Sequence, residues 1–194
     1  MSLYPPLYVL RHGQTEWNAA RRLQGHLDSP LTERGRAEAL QQRDILAACD
    51  LVGYRAICSP QGRAFQTAAL ALIGLVPEIR TDGRLREIGV GDWAGTGLDE
   101  LEARGMTLGD SDGSLMHYDR APGGEGFVAL HDRCTRFLDA LDGPAILVTH
   151  GVTSRMLRLI VVGRSISDID TMTGGQGVVY RLENGHQERL AIGA

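Results

Sequence analysis

The sequence contains no lysine: all 20 of its basic residues are arginine. That absence removes Schiff-base catalysis through a lysine amine and nucleotide binding through a P-loop lysine. Cysteine is scarce as well. Cys49, Cys58 and Cys134 are odd in number and far apart, so they make neither a zinc-ligand pattern nor a disulfide frame. Buried free thiols in a reducing compartment are the expectation. No apolar run approaches the roughly 18 residues that span a bilayer, so no membrane contact is expected. The formal net charge of −4 offers no basic excess for nucleic acid. No secretory leader is visible, because Met1-Ser2-Leu3-Tyr4-Pro5-Pro6 runs directly into the first apolar stretch. A cytoplasmic location follows as an expectation. No cluster of carboxylates suits a metal ion, and none is expected, nor is a cofactor.

What is present is an ordinary globular composition, 43% apolar and 23% charged over 194 residues, which is enough for one full core. With no repeat and no linker, residues 1–194 are predicted to form a single domain. Leu7-Tyr8-Val9-Leu10, Tyr54-Arg55-Ala56-Ile57-Cys58, Glu78-Ile79-Arg80-Thr81 and Ala145-Ile146-Leu147-Val148-Thr149 read as strands. Helices are predicted over 32–48, capped by Thr32, and over 61–75, capped by Ser59. Further helices are predicted over 98–104, 127–141 and 152–162, with His131 on the apolar face of the fourth. Residues 177–182 and 187–192 form a hairpin around Asn184-Gly185. The glycine-rich stretch 105–126 reads as a mobile surface loop. Strands alternating with helices predict an α/β fold, a three-layer α/β/α sandwich around a mainly parallel sheet.

Two of these strands end alike. Leu10-Arg11-His12-Gly13 and Thr149-His150-Gly151 each carry an apolar run into a histidine and a glycine. Such strand ends lie at the carboxyl edge of a parallel sheet, where open α/β folds bind ligands. Arginine presents a fork of donors that suits phosphate. Neutral histidine is a nucleophile near pH 7. Gly13 is expected to let the backbone approach a bound group, and Gly151 opens a helix whose N–H suits an anion. Taken singly, either histidine reads equally well as a strand-end residue with local hydrogen bonds. Arg63 falls in the first turn of a predicted helix, where the dipole also favours an anion. Glu87, in Leu85-Arg86-Glu87-Ile88-Gly89, reads locally as a surface ion pair with Arg84 or Arg86.

The segment Arg11-His12-Gly13-Gln14-Thr15-Glu16-Trp17-Asn18 resembles the signature of the histidine phosphatase superfamily, which includes the cofactor-dependent phosphoglycerate mutases. Ser59-Pro60-Gln61-Gly62-Arg63 and the Glu87 segment resemble its second motif and its proton-donor motif. The resemblance implies one three-layer domain with the site above the strand ends. It implies a phosphomonoesterase that works through a phosphohistidine, with His12 as nucleophile and Glu87 as proton donor. Arg11, Asn18, Gln24, Gly25, Arg63, His150 and Gly151 are then expected around the phosphate. The implied partner is a small-molecule phosphate ester, with a homodimer as the candidate assembly. Two other readings are a phosphoglycerate mutase and a binding module without catalysis. Similar mutases carry a longer insertion after the acid, with Lys and paired Arg. Here Ile88-Gly89-Val90-Gly91 follows Glu87, the region to Glu125 holds only Arg104 and Arg120 as cations, and Pro122-Gly123-Gly124-Glu125 looks like the phosphatase branch. Trp93 reads either as a wall of the site or as core. His26, His117, His131 and His186 are assigned no role.

Overall fold

A computed structural model describes residues 3–106 and 115–192. Strand β1 (Leu7–Arg11) is followed by helices α1 (Glu16–Ala19) and α2 (Glu33–Ala47), then β2 (Arg55–Cys58), α3 (Gly62–Leu72) and β3 (Ile79–Thr81). Two short 3-10 turns lead to α4 (Leu98–Ala103), α5 (Met116–Asp119) and α6 (Gly126–Leu138). After β4 (Ala145–Thr149) come α7 (Gly151–Val161), a 3-10 segment (Ile166–Thr171) and the hairpin of β5 (Val179–Glu183) and β6 (His186–Leu190). The strands form one sheet in the order β3-β2-β4-β1-β5-β6. The first four are mutually parallel; β5 and β6 run antiparallel to their neighbours. Helices cover both faces, so the mainly parallel α/β/α sandwich predicted from the sequence is the fold.

Alternation along the central strands explains the three layers. Tyr8 and Leu10 of β1, with Ile146 and Val148 of β4, pack among Leu46, Ala68 and Leu72 of α2 and α3. Leu7 and Val9, with Ala145 and Leu147, pack among Leu130, Phe137 and Met156 of α6 and α7. Both strands are therefore apolar at consecutive positions, as a strand buried on two sides requires.

Several local expectations are revised. Thr32 caps α2 as predicted, its side chain accepting from the Gly35 N–H. Ser59 does not cap α3: the helix begins at Gly62 with Gln61 at the cap position, and no side chain bonds it. α3 ends at Leu72, where Gly74 turns left-handed with φ 74°. α6 ends at Leu138, and His131 is part-exposed rather than core, although Phe127, Leu130, Cys134, Phe137 and Leu138 are buried as predicted. Within the stretch read as a mobile loop, α5 is an ordered helical turn whose Asp119 accepts from the Phe127 N–H at 2.6 Å; residues 107–114 of that stretch lie outside the described residues. Trp93 is buried in the core beneath α6 and α7. The hairpin turns on Asn184 and Gly185, both left-handed, which is the backbone that matches the twist of paired strands.

Candidate active site

β1 and β4 are neighbours in register, Arg11 opposite Thr149. The next residue on each is a histidine, and the His12 N–H donates to the Thr149 carbonyl at 2.9 Å. Parallel strands lie about 4.8 Å apart. The two imidazoles inherit that spacing, with ring centroids 5.1 Å apart and planes at 62°. Above them opens a cleft of about 680 Å³. Arg11, His12, Asn18, Gln24, Gly25, Arg63, Glu87 and Gly151 line it. His150 stands directly behind, fully buried.

The hydrogen bonds of His12 determine its tautomer. A guanidinium only donates, so the bond from Arg63 Nε to His12 Nε2, 3.2 Å, makes Nε2 the acceptor. Nδ1 then carries the proton and donates to the Gly13 carbonyl at 2.7 Å. Burial holds the His12 pKa well below the usual histidine range, and the charges of Arg63 and Arg11 push it the same way. His150 is held down for the same reasons, burial first and then Arg63 and His12. Both rings are therefore neutral at pH 7.

Arg63 is anchored at every nitrogen. Its Nη1 donates to the Leu27 carbonyl (2.7 Å) and to Asp28 (3.1 Å), and Nη2 donates to the Gly25 carbonyl (3.0 Å). Gly25 thus contributes its carbonyl to the arginine, in a left-handed conformation with φ 50°. The Gly25 carbonyl also accepts from Gln61 Nε2 at 2.8 Å. Gln24 donates to Thr15 Oγ1 at 2.9 Å, while its Oε1 has no partner among the described residues. Asn18 closes a capping box with Thr15 and accepts from Gln176 at 3.5 Å.

Glu87 faces inward rather than pairing with Arg84, which forks onto Asp82 instead. Its carboxylate sits on the first turn of α7. Oε2 accepts from the Val152 N–H at 3.2 Å; Oε1 accepts from the Thr153 N–H and Oγ1, each at 3.1 Å. Helix N-termini favour an acid in this position. Gly151 is where these elements converge. A Cβ added there would lie 3.4 Å from the Arg11 guanidinium carbon and 3.5 Å from Glu87 Oε2.

Two buried nitrogens in this region have no partner among the described residues: Arg11 Nε and His150 Nδ1. Buried polar atoms are ordinarily satisfied, and a guanidinium beside an imidazole is an arrangement that an oxyanion satisfies. Among the described residues no group of three or more His, Cys, Asp or Glu side chains could hold a metal ion, and no helix is long and apolar enough to cross a membrane.

Gly13 has a different purpose from the one expected of it. A Cβ there would collide with the Gly35 carbonyl, so this glycine lets the loop after β1 press against the first turn of α2. Other contributors escaped the sequence reading. Ser59 Oγ meets His150 Nε2 at 2.7 Å, Gln176 donates to the His12 carbonyl at 3.1 Å, and Asp28 holds Arg63. Arg21, Arg22, Arg34, His117, Tyr118 and Arg155 also line the cleft. Ser59 lay within the motif that carries Arg63, and Arg155 follows Gly151 by one helical turn. Gln176, Asp28 and Tyr118 stand in stretches without a local signal.

The family model of the histidine phosphatase superfamily (branch 1) matches residues 7–191. The chain belongs to the histidine phosphatase superfamily. Among curated relatives it is 34% identical over 168 residues to the probable phosphoglycerate mutase GpmB of Salmonella paratyphi C (strain RKS4594), spanning 81% of this chain and 74% of that one. Among solved structures it resembles the protein TTHB049 from Thermus thermophilus, at 32% identity and TM-score 0.72, over 96% of this chain and 99% of that one. It also resembles the mycobacterial glucosyl-3-phosphoglycerate phosphatase Rv2419c, solved with VO3, at 25% identity and TM-score 0.74, over 96% and 98%. The alpha-ribazole phosphatase of Shigella flexneri shares the fold, with TM-score 0.79 at 23% identity over 97% and 96% of the chains.

Proposed function

We propose that this protein is a phosphomonoesterase that hydrolyses a small phosphate ester through a covalent phosphohistidine. The single observation that supports this best is the fixed tautomer of His12. Its Nε2 lone pair faces the cleft side that Arg63 lines, and its proton is held by Gly13 on the far side of the ring. In the first step Nε2 attacks phosphorus and the bond to the ester oxygen breaks. Glu87, as general acid, gives a proton to the departing alcohol. In the second step water attacks phosphorus and yields its proton to the Glu87 carboxylate. The P–N bond breaks, and its electron pair returns to Nε2. Arg11, Arg63, His150 Nδ1 and the Gly151 N–H hold the equatorial oxygens and offset the charge, which is the main task in phosphoryl transfer. Asn18, Gln24 and Gly25 shape the pocket, Gly25 by holding Arg63.

The reading is tested by intact-protein mass after a rapid, acid-free quench during turnover of p-nitrophenyl phosphate. An acid-labile phosphoryl adduct on the peptide containing His12 is expected, and none in His12→Ala. Glu87→Gln is expected to slow esters of poor leaving groups far more than p-nitrophenyl phosphate, whose oxygen hardly needs a proton. An adduct on His150, or one that persists in His12→Ala, overturns the assignment.

A phosphoglycerate mutase is the second reading. It is favoured by the name of the Salmonella relative and by Arg21, Arg22 and Arg155 in the cleft, cations that lie outside the stretch after Glu87. With 3-phosphoglycerate and its bisphosphate cofactor, phosphate release is expected to exceed isomer formation. Rapid interconversion of 2- and 3-phosphoglycerate with little free phosphate would establish the mutase instead.

A further inference from the structure

The largely buried arginines divide into two kinds. Arg63 and Arg133 each face a carboxylate, Asp28 and Glu125. Arg155 and Arg158, one turn apart on α7, have no carboxylate within ion-pair distance among the described residues. A desolvated charge without a counter-ion is costly, so each needs an explanation. Arg158 has a structural one. Its three nitrogens donate to Ser154 O (3.3 Å), Gln187 Oε1 (3.0 Å) and Thr173 O (2.6 Å). Its guanidinium carbon lies 3.7 Å from the Tyr180 ring centroid. It ties the chain after the last 3-10 segment to the sheet.

Arg155 has no such account. Nε donates to the Met172 carbonyl at 2.8 Å and Nη1 to the Gly151 carbonyl at 3.2 Å. Nη2 has no hydrogen-bond partner among the described residues, and the side chain lines the cleft with Arg11, Glu87 and Tyr118. The opposing chain makes room for it: Gly174 has no Cβ, and one placed there would collide with Nη2. Burial lowers the Arg155 pKa and the Arg11 charge lowers it further, while Glu87, beyond ion-pair distance, acts in the opposite direction. Burial pushes Tyr118 up to about 12, so its phenol stays neutral and provides no counter-charge. The two carbonyl bonds hold the fork beside Gly151, where an added Cβ would lie 3.4 Å from Arg11 and 3.5 Å from Glu87.

We propose that Arg155 binds a second oxyanion of the substrate, carried on the alcohol portion that Glu87 protonates, so that the protein prefers esters of acid-bearing alcohols to esters of neutral ones. This specificity rests on the phosphomonoesterase reading. The oxyanion is a carboxylate or a second phosphate, and both match a guanidinium fork.

Calorimetric titration with non-hydrolysable phosphonates separates the cases and needs no turnover. The wild type is titrated with 3-phosphonopropionate, with ethylene-1,2-bisphosphonate and with propylphosphonate, which carries no second anionic group. One of the two charged probes is expected to bind about ten-fold or more tightly than propylphosphonate, a gain in the range of one charge-assisted hydrogen bond. Whichever is tighter identifies the oxyanion. Arg155→Gln is expected to reduce that preference to within about two-fold. Arg155→Met, which keeps the apolar stem, gives the same reading should the glutamine variant fail to fold, as thermal unfolding would show. No preference in the wild type, or a preference that survives both substitutions, overturns the proposal. Turnover of p-nitrophenyl phosphate by the wild type is measured alongside. Its absence would remove the phosphatase reading while leaving the binding preference to report on Arg155.

Discussion

At the scale of residues, His12 and His150 look interchangeable along the chain and differ in their bonds. His12 has both ring nitrogens engaged, one by a carbonyl and one by a guanidinium. His150 leans on Ser59 through Nε2 and leaves Nδ1 without a partner among the described residues. Under the proposed mechanism His12→Ala removes the attacking atom and abolishes turnover. His150→Ala leaves the nucleophile in place and removes one donor to the phosphate. Steady-state assays are expected to show it slowed about 30- to 1000-fold, or about 2–4 kcal/mol of transition-state stabilisation. A loss as complete as that of His12→Ala would contradict the division of labour.

The same two rings link stability to pH. Both are neutral in the folded protein because burial and nearby arginines lower their pKa values. In the unfolded chain each takes up a proton near pH 6.5. Below that pH the unfolded state binds more protons than the folded one, so stability falls as pH falls. Above about pH 7 the two rings contribute no slope. Urea titrations between pH 7 and 5 are expected to show a decline, up to about 1.4 kcal/mol per pH unit for each ring. Carboxylates add to the total, so the decisive quantity is the difference from a variant. His150→Phe is expected to flatten the decline by about one proton's worth. An unchanged slope would mean that His150 is protonated in the folded protein.

At the scale of elements, the site depends on how closely the loop after β1 meets α2. A Cβ on Gly13 would strike the Gly35 carbonyl, and one on Gly35 would strike the Gln14 carbonyl. The two glycines clasp backbone to backbone, and the Gly13 N–H donates to Thr67 of α3 at 3.0 Å. Gly35→Ala is expected to destabilise by about 1–3 kcal/mol, as overpacking does, although alanine favours a helix over glycine. Urea midpoints at pH 8 measure it; a neutral or stabilising result would show that the loop is free to retreat.

This clasp also shows where the sequence was legible. The runs Leu7–Leu10 and Ala145–Thr149, the Thr32 cap and the Asn184-Gly185 turn announce themselves, because each is a local pattern with a local cause. So do the residues at the ends of the two central strands, which topology alone brings together. Close approach between distant backbones leaves no such mark: Gly13 looked like a ligand-facing residue and is a packing one. The exposure of His131 was misread for a related reason, since helical spacing defines a face but not its edge. Ser59 belongs to His150, not to α3, and only the crossing of β2 beside β4 reveals it. The cleft's arginines at 21, 22, 34 and 155 come from the segment after α1, from α2 and from α7, and share no motif.

At the scale of the whole molecule, the groups assigned to the phosphate under the proposed mechanism are two arginines and a neutral histidine, drawn from β1, α3 and the residue after β4. The proposed reaction is therefore expected to proceed in excess chelator. Phosphate release from p-nitrophenyl phosphate with and without the chelator measures this. Inhibition that a divalent ion reverses would remove the mechanism proposed here.

The pairing of β1 with β4 in register, Arg11 beside Thr149, has a consequence for the durability of the site. His12 and His150, the proposed nucleophile and phosphate donor, are each one residue beyond the innermost ladder of the sheet, flanked by helices on both faces. Their separation is thus set by the amides that open last, while the arginines facing solvent sit on segments that open first. Hydrogen exchange is expected to show Val9, Leu10, Leu147 and Val148 among the slowest amides and residues 20–27 among the faster ones. A molecule so built keeps His12 and His150 aligned through local openings of the rim. Its rim can be recut for a different ester while the machinery beneath stays in tune.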